Sequence, residues 1–218
     1  MLVTAAQDAE LVAAWIAGDR PAGEALVRRY YASVRRFFDL RLPHLADDLT
    51  QQVFVAVAER STALRDESAF KPYLFGIARH LLLGHFRKQG RHERAVRVAH
   101  EDTNTVTSLS VVAVRREHET LLLMAISTLP IDFQIVVDLY YWEAMSTVEI
   151  GTVLETNAST IGSRLARART LIIEAVVEMT RPGALRDKVV LNLEQLYRAL
   201  GPPTLAANVA RPTGVTRP

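Results

Sequence analysis

A chain of 218 residues is long enough for one large or two small domains, and its 49% hydrophobic content suffices for packed cores. The formal net charge is only +2, so nucleic-acid binding would have to come from clustered charge and not from its total. The absence of Cys excludes a disulfide framework and a thiolate metal site and suits a reducing compartment.

No apolar run approaches about 18 residues, and the N-terminus lacks the basic start and apolar core of a signal peptide. A cytoplasmic chain with no membrane insertion is expected. The six His are scattered. His80 and His85, and then His92 and His100, lack the spacing of helical ligands, so no metal and no cofactor are expected. A Gly-rich phosphate loop and a nucleophile elbow are also missing, and the chain does not read as an enzyme.

Residues 8 to 39 alternate apolar and polar positions with helical period, through Leu11, Trp15 and Ile16 and, after Gly18-Asp19-Arg20-Pro21, through Leu26, Tyr30, Val34, Phe37 and Phe38. Two helices around a turn are expected. Arg41-Leu42-Pro43 breaks the second, because proline disfavours helix at the residue before it. A third helix starts at the acidic pair Asp47-Asp48, well placed at a helix N-terminus, and runs through Leu49, Val53, Phe54 and Val57 to about Arg60. Its exposed side would show Asp48, Gln51 and Gln52.

After a polar loop over residues 61 to 69, a fourth helix covers Phe70 to about Gly90, with Pro72 in its first turn. Tyr73, Leu74, Ile77, Ala78 and Leu81 are core-like, whereas Arg79, Arg87, Lys88, Arg91, Arg94 and Arg97 form a basic flank. Tyr73, Phe75 and Phe86 interleave with these cations, the combination that a single strand needs for stacking and phosphate neutralisation. A solvated charged face over a core-packed aromatic stripe fits the same residues.

Periodicity fades between about Glu93 and Arg116, which reads as a flexible interdomain linker. It resumes from Glu117 to Leu129, stops at Pro130 and continues through Phe133, Val136, Val137 and Tyr140. Ser146 and Glu149 then form a capping box opening the run Val148, Ile150, Val153 and Leu154. Asn157 can cap a second helix whose apolar residues Ile161, Leu165, Ala168, Ile172 and Val176 share one face. Ser159, Thr160, Ser163, Arg164, Arg167 and Arg169 lie opposite, with no acid before Glu174. An isolated Arg-bearing helix would read as a solvated face. Two capped helices joined by a short turn instead read as a helix-turn-helix whose second member enters a DNA major groove. Arg181-Pro182-Gly183 ends that helix. Leu185, Val189, Leu193, Leu196 and Leu200 suggest one more, followed from Gly201 by a Pro-rich disordered tail. The fold class expected is all-α, with two small helical domains joined by a flexible linker.

Three segments, in order, resemble the bacterial RNA polymerase sigma factors of the extracytoplasmic-function group. A-D-D-L-T-Q-Q-V-F at Ala46 to Phe54 resembles that family's core-polymerase-binding helix. F-K-P-Y-L-F-G-I-A-R-H-L-L-L-G-H-F-R-K-Q-G-R at Phe70 to Arg91 resembles its promoter-melting and −10-reading helix. L-P-I-D-F-Q-I-V-V-D-L-Y-Y-W-E-A-M-S-T-V-E-I-G at Leu129 to Gly151, with T-I-G-S-R-L-A-R-A-R at Thr160 to Arg169, resembles its −35-reading domain. The resemblance implies a region 2-like domain over 8–92, a linker over 93–116, a region 4-like domain over 117–180 and a C-terminal extension over 181–218.

By the same resemblance Asp48, Gln51, Gln52 and Phe54 would dock on core RNA polymerase, while Tyr73, Arg79, His80, Arg87, Lys88 and Arg91 would hold the melted −10 strand. The loop over 61 to 69 would receive a flipped base. Ser159, Thr160, Ser163, Arg164 and Arg167 would contact −35 promoter DNA, and an anti-sigma factor is a further partner that the resemblance allows. The chain departs from the family's usual Asn at His80, Asp at Gly84 and basic residue at Gly162. The competing reading is a two-domain DNA-binding or regulator-sequestering protein that keeps the fold without engaging polymerase.

Overall fold

The computed structural model describes residues 3–60, 69–88, 117–193 and 195. Helix α1 (Val3–Ile16) turns into α2 (Arg20–Asp39) at Gly18, whose φ of 99° lies in the left-handed region that glycine enters without strain. Pro21 sits in the first turn of α2, where a missing N–H is harmless. The buried Asp8 carboxylate fastens α1 to α2 by accepting from Arg29 and from the Tyr30 hydroxyl. Burial, and then that carboxylate, push the Tyr30 hydroxyl above its usual range.

A 3-10 turn at Pro43–Leu45 leads into α3 (Ala46–Arg60), and α4 (Phe70–Lys88) closes the first group. Leu26, Tyr30, Val34, Phe37, Leu49, Val53, Phe70, Leu74, Phe75 and Leu82 meet between α2, α3 and α4. At α2 and α3 these are the residues that the helical period singles out.

The second group comprises α5 (Glu117–Ser127), α6 (Ile131–Tyr141), α7 (Thr147–Leu154) and α8 (Ala158–Met179). Pro130 stands immediately before α6 in extended backbone, φ −53° and ψ 144°, which separates α5 from α6 where the sequence expects it. The extension contributes α9 (Ala184–Leu191), which packs on α5 and α8 and buries Val189 and Leu193 with Leu122, Ile126, Ala168, Ile172 and Val176. That helix was expected from Leu185, Val189 and Leu193, although Leu196 and Leu200 lie outside the described residues. Outside them too lie the loop over 61–68, Arg91, Arg94, Arg97, the linker over 93–116 and the tail from Gly201.

The two groups meet in a way that helical period does not foresee. Helix α4 packs against α7, and the apolar cluster of the first group runs on into Ile135, Val136, Leu139, Ile150, Val153, Leu154, Ile161 and Leu165. Within this junction Arg36 pairs with Glu143, Arg41 Nη1 lies 3.0 Å from Asp138 Oδ2, and Lys71 Nζ lies 3.3 Å from Glu143 Oε2.

Candidate polymerase and nucleic-acid interfaces

The helix-turn-helix is held by the caps that its sequence announces. The Ser146 backbone N–H donates to Glu149 Oε2 at 2.7 Å, and the Glu149 N–H donates back to Ser146 Oγ at 3.2 Å. Between α7 and α8, Glu155 takes a left-handed conformation at φ 55°, and the Thr156 N–H donates to Gly151 O at 2.9 Å. Asn157 Oδ1 accepts from the Thr160 N–H at 2.8 Å and from Ser159 Oγ at 2.7 Å, which starts α8. The turn is tight enough that a Cβ at Gly151 would stand 2.7 Å from Thr156 O. The fold therefore requires glycine there, a signal that helical periodicity does not carry.

Helix α8 buries Ile161, Leu165, Ala168, Ile172 and Val176. On its outer side Ser159, Ser163 and Arg167 are exposed, and Thr160 and Arg164 are half-buried. Arg164 Nη1 lies 3.9 Å from Asp132 Oδ2, and Arg167 Nη1 lies 3.8 Å from Glu174 Oε1. Pairs this long at or near the surface are weak, so both guanidinium groups can exchange these acids for another anion. Two sequence expectations need correction. Arg169 belongs to the packed side of α8, because its Nε donates to Tyr141 Oη at 3.0 Å. Val148, expected among the apolar residues of α7, is exposed, because it lies opposite the face that Ile150, Val153 and Leu154 bury.

On α4 the expected strand-binding residues divide. Arg87 and Lys88 are exposed in the last turn, where cations also complement the helix dipole. Tyr73 is half-buried and packs against the core, and Arg79 is half-buried with its Nε enclosed and lacking a hydrogen-bond partner among the described residues. His80 is exposed, with Nδ1 3.0 Å from Gly76 O and Nε2 3.5 Å from Glu155 Oε1 across the junction. Phe75 cannot stack on a base, because its ring is fully buried edge-on to Phe37. Phe86 is half-buried against the same core. A Cβ at Gly84 or Gly162 would meet nothing within 4 Å, so both positions have open space beside the residues expected to contact DNA.

On α3, Asp48, Gln51 and Gln52 are exposed on one side, as the period predicts. Asp47 is tied down by Arg35, whose Nε donates to it at 2.7 Å. Phe54 is half-buried and stacked on Tyr31 at 6.2 Å, so most of its ring belongs to the α2–α3 contact. Sequence reasoning passed over Val55. It is 56% exposed and continues the Asp48, Gln51, Gln52 stripe at helical spacing, and apolarity alone had no means of separating it from the core valines Val53 and Val57.

Among the described residues no group of three or more His, Cys, Asp or Glu could hold a metal ion, and no helix is long and apolar enough to cross a membrane.

Comparison with known proteins matches residues 24–92 to sigma-70 region 2 and residues 119–172 to sigma-70 region 4. The first match carries α2, α3 and α4, and the second carries the helix-turn-helix. The RNA polymerase sigma-H factor of Pseudomonas aeruginosa is 28% identical over 192 residues, spanning 83% of this chain and 99% of that protein. The ECF RNA polymerase sigma-E factor of Escherichia coli K12 is 26% identical over 174 residues, spanning 75% of this chain and 91% of that protein. Among solved structures, CnrH in complex with the cytosolic domain of CnrY superposes with a TM-score of 0.57 at 24% identity, over 80% of this chain and 99% of that one, a likeness of fold. None of these relatives favours the competing reading of a regulator that does not engage polymerase. With both sigma-70 regions in order and relatives named for this role, the chain belongs to the RNA polymerase sigma factors of the extracytoplasmic-function group.

Proposed function

We propose that the three exposed surfaces divide the work of a sigma factor, which binds core RNA polymerase and directs it to promoters. The Asp48, Gln51, Gln52 side of α3, extended by Val55, docks on polymerase through one unpaired carboxylate, two amides and an apolar contact. The basic end of α4, with Arg87, Lys88 and His80, takes the melted −10 strand, and Arg79 supports it from a half-buried position. The outer side of α8 enters the −35 major groove, with Arg164 and Arg167 toward base edges and Ser159, Thr160 and Ser163 toward phosphate or base. The domain boundaries proposed are 8–92 and 117–180, with 93–116 as the tether.

The observation that carries this reading is α8, capped at its start by Asn157, which offers a polar, cationic side to solvent while its opposite side is locked in the core. The chain acts without catalysis of its own, in the cytoplasm where polymerase is. An anti-sigma factor is a further proposed partner, since CnrH is seen bound to the cytosolic domain of CnrY. The test is co-elution of the full chain with core polymerase on a sizing column. A 1:1 complex is expected, and separate elution at micromolar concentrations would reject the assignment.

A further inference from the structure

Between α1, α2 and α3 lies an open groove of about 380 Å³ that none of the three surfaces above uses. A glycine makes room for it. A Cβ at Gly23 would stand 2.6 Å from Trp15 Nε1, so only glycine lets the indole lie down on α2. Trp15, Val27 and Phe54 are each half-buried and supply the apolar walls, and the exposed Ala58 ends the groove on the α3 side. Arg20 and Arg28 stand exposed at its rim with Glu24. Arg28 Nη2 lies 3.7 Å from Glu24 Oε2, a pair so exposed that it holds neither charge tightly.

The groove is continuous with the side of α3 proposed for polymerase. Gln51, Val55 and Ala58 follow one another at spacings of four and three residues, so they are neighbours along one side of that helix. A body lying on Gln51 and Val55 therefore reaches the mouth of the groove. The far wall is a different matter, because Trp15, Arg20 and Gly23 all precede residue 24, where the match to sigma-70 region 2 begins.

The chemistry of the lining selects the occupant. The volume is at the lower end of the roughly 300 to 1,000 Å³ that binding clefts enclose, which admits a projecting side chain and not a helix about 10 Å across. An aromatic or branched aliphatic side chain gains by burial against Trp15 and Phe54, and Arg20 and Arg28 favour an acid beside it. A nucleic-acid backbone would gain nothing from apolar walls. A second copy of this chain would set the same basic rim against this one, because a two-fold contact pairs a surface with itself.

Resting on the sigma-factor reading, we propose that the groove walled by Trp15, Val27 and Phe54 is a second anchor point for core polymerase, taking an apolar side chain that projects from an acidic segment of the enzyme. Helix α1 then belongs to the polymerase interface together with α3. The anchor is a desolvated pocket beside a polar stripe, the arrangement in which a few residues carry most of a binding energy.

The test is competition of unlabelled full-length variants against a dye-labelled wild-type chain for core polymerase, across salt. Val27→Trp fills the groove from α2 without touching α3 and should weaken binding by about tenfold to a hundredfold. Arg28→Glu reverses a rim charge and should weaken binding several-fold at low salt, with the loss shrinking as salt rises. Arg181→Glu makes the same change of net charge at an exposed position after α8 and should bind as wild type does. If circular dichroism shows that Val27→Trp has lost helix, Arg28→Glu and the double variant Arg20→Glu/Arg28→Glu, all at exposed positions, decide in its place. Wild-type binding by folded Val27→Trp and by Arg28→Glu would overturn the proposal, and so would an equal loss in Arg181→Glu. Self-association of the wild type that Val27→Trp abolishes would overturn it in favour of a second copy. Loss of promoter binding by the Arg28→Glu chain alone, with polymerase binding intact, would overturn it in favour of a DNA backbone. Failure of the wild type itself to bind polymerase is a different result, which rejects the sigma-factor reading and this proposal with it.

Discussion

One substitution made at two glycines of the helix-turn-helix should give opposite results. At Gly162 in α8 a Cβ meets nothing within 4 Å, so Gly162→Ala gains only helix propensity and should stabilise by up to about 1 kcal/mol. At Gly151 in α7 the same gain is available, but the Cβ would lie 2.7 Å from Thr156 O, a backbone atom that cannot rotate aside. Thr156 is further anchored by its N–H bond to Gly151 O at 2.9 Å, so relief requires the whole turn to shift. Overpacking of this kind costs about 1 to 3 kcal/mol, and strain on the capping bond adds roughly 0.5 to 1.5. The net expectation for Gly151→Ala is destabilisation by about 0.5 to 3.5 kcal/mol. For a chain of this size that lowers Tm by about 1 to 14 °C, whereas Gly162→Ala raises it by up to about 4 °C. Thermal unfolding followed by circular dichroism reads both. If Gly151→Ala raised Tm as Gly162→Ala does, the tight turn described here would be wrong.

Arg164→Ala should weaken −35 duplex binding by about 1 to 3 kcal/mol with the helical spectrum intact, if the contact is bidentate to a base, and unchanged affinity in a gel-shift titration would remove that role. Asp48→Arg should abolish association with core polymerase while leaving −35 duplex binding alone, and wild-type co-elution would discard the docking surface on α3. Ser146→Ala removes half of the capping box and should cost about 1 kcal/mol, read from the denaturant midpoint at constant slope.

What was legible in the sequence was local. Ser146 with Glu149, Asn157 with Thr160, and the breaks at Gly18, Pro43 and Pro130 each act within a few residues, so the chain announces them before it folds. The polar side of α8 and the Asp48, Gln51, Gln52 side of α3 followed from period alone. Hidden features depended on distant partners. Arg36 reaches Glu143 across 107 positions, and no pattern inside α2 says that an arginine on its buried side will find an acid there. The signal existed at the other end, where Asp138 interrupts the apolar run Ile135, Val136, Val137, Leu139 and thereby calls for a cation from elsewhere in the chain. Phe75 and Arg169 were misplaced because aromatic and long cationic side chains fit both a core and a nucleic-acid face. Only the positions of Phe37 and Tyr141 decide between the two.

The central claim, that this chain supplies promoter recognition to polymerase, is tested most directly by in-vitro transcription with purified core polymerase on a promoter library. The account predicts discrete transcripts only when the chain is added, from promoters sharing common −10 and −35 elements, and weak, salt-sensitive binding of the same DNA by the chain alone. Transcription no higher than core polymerase gives by itself, together with tight specific binding by the chain alone, would contradict it.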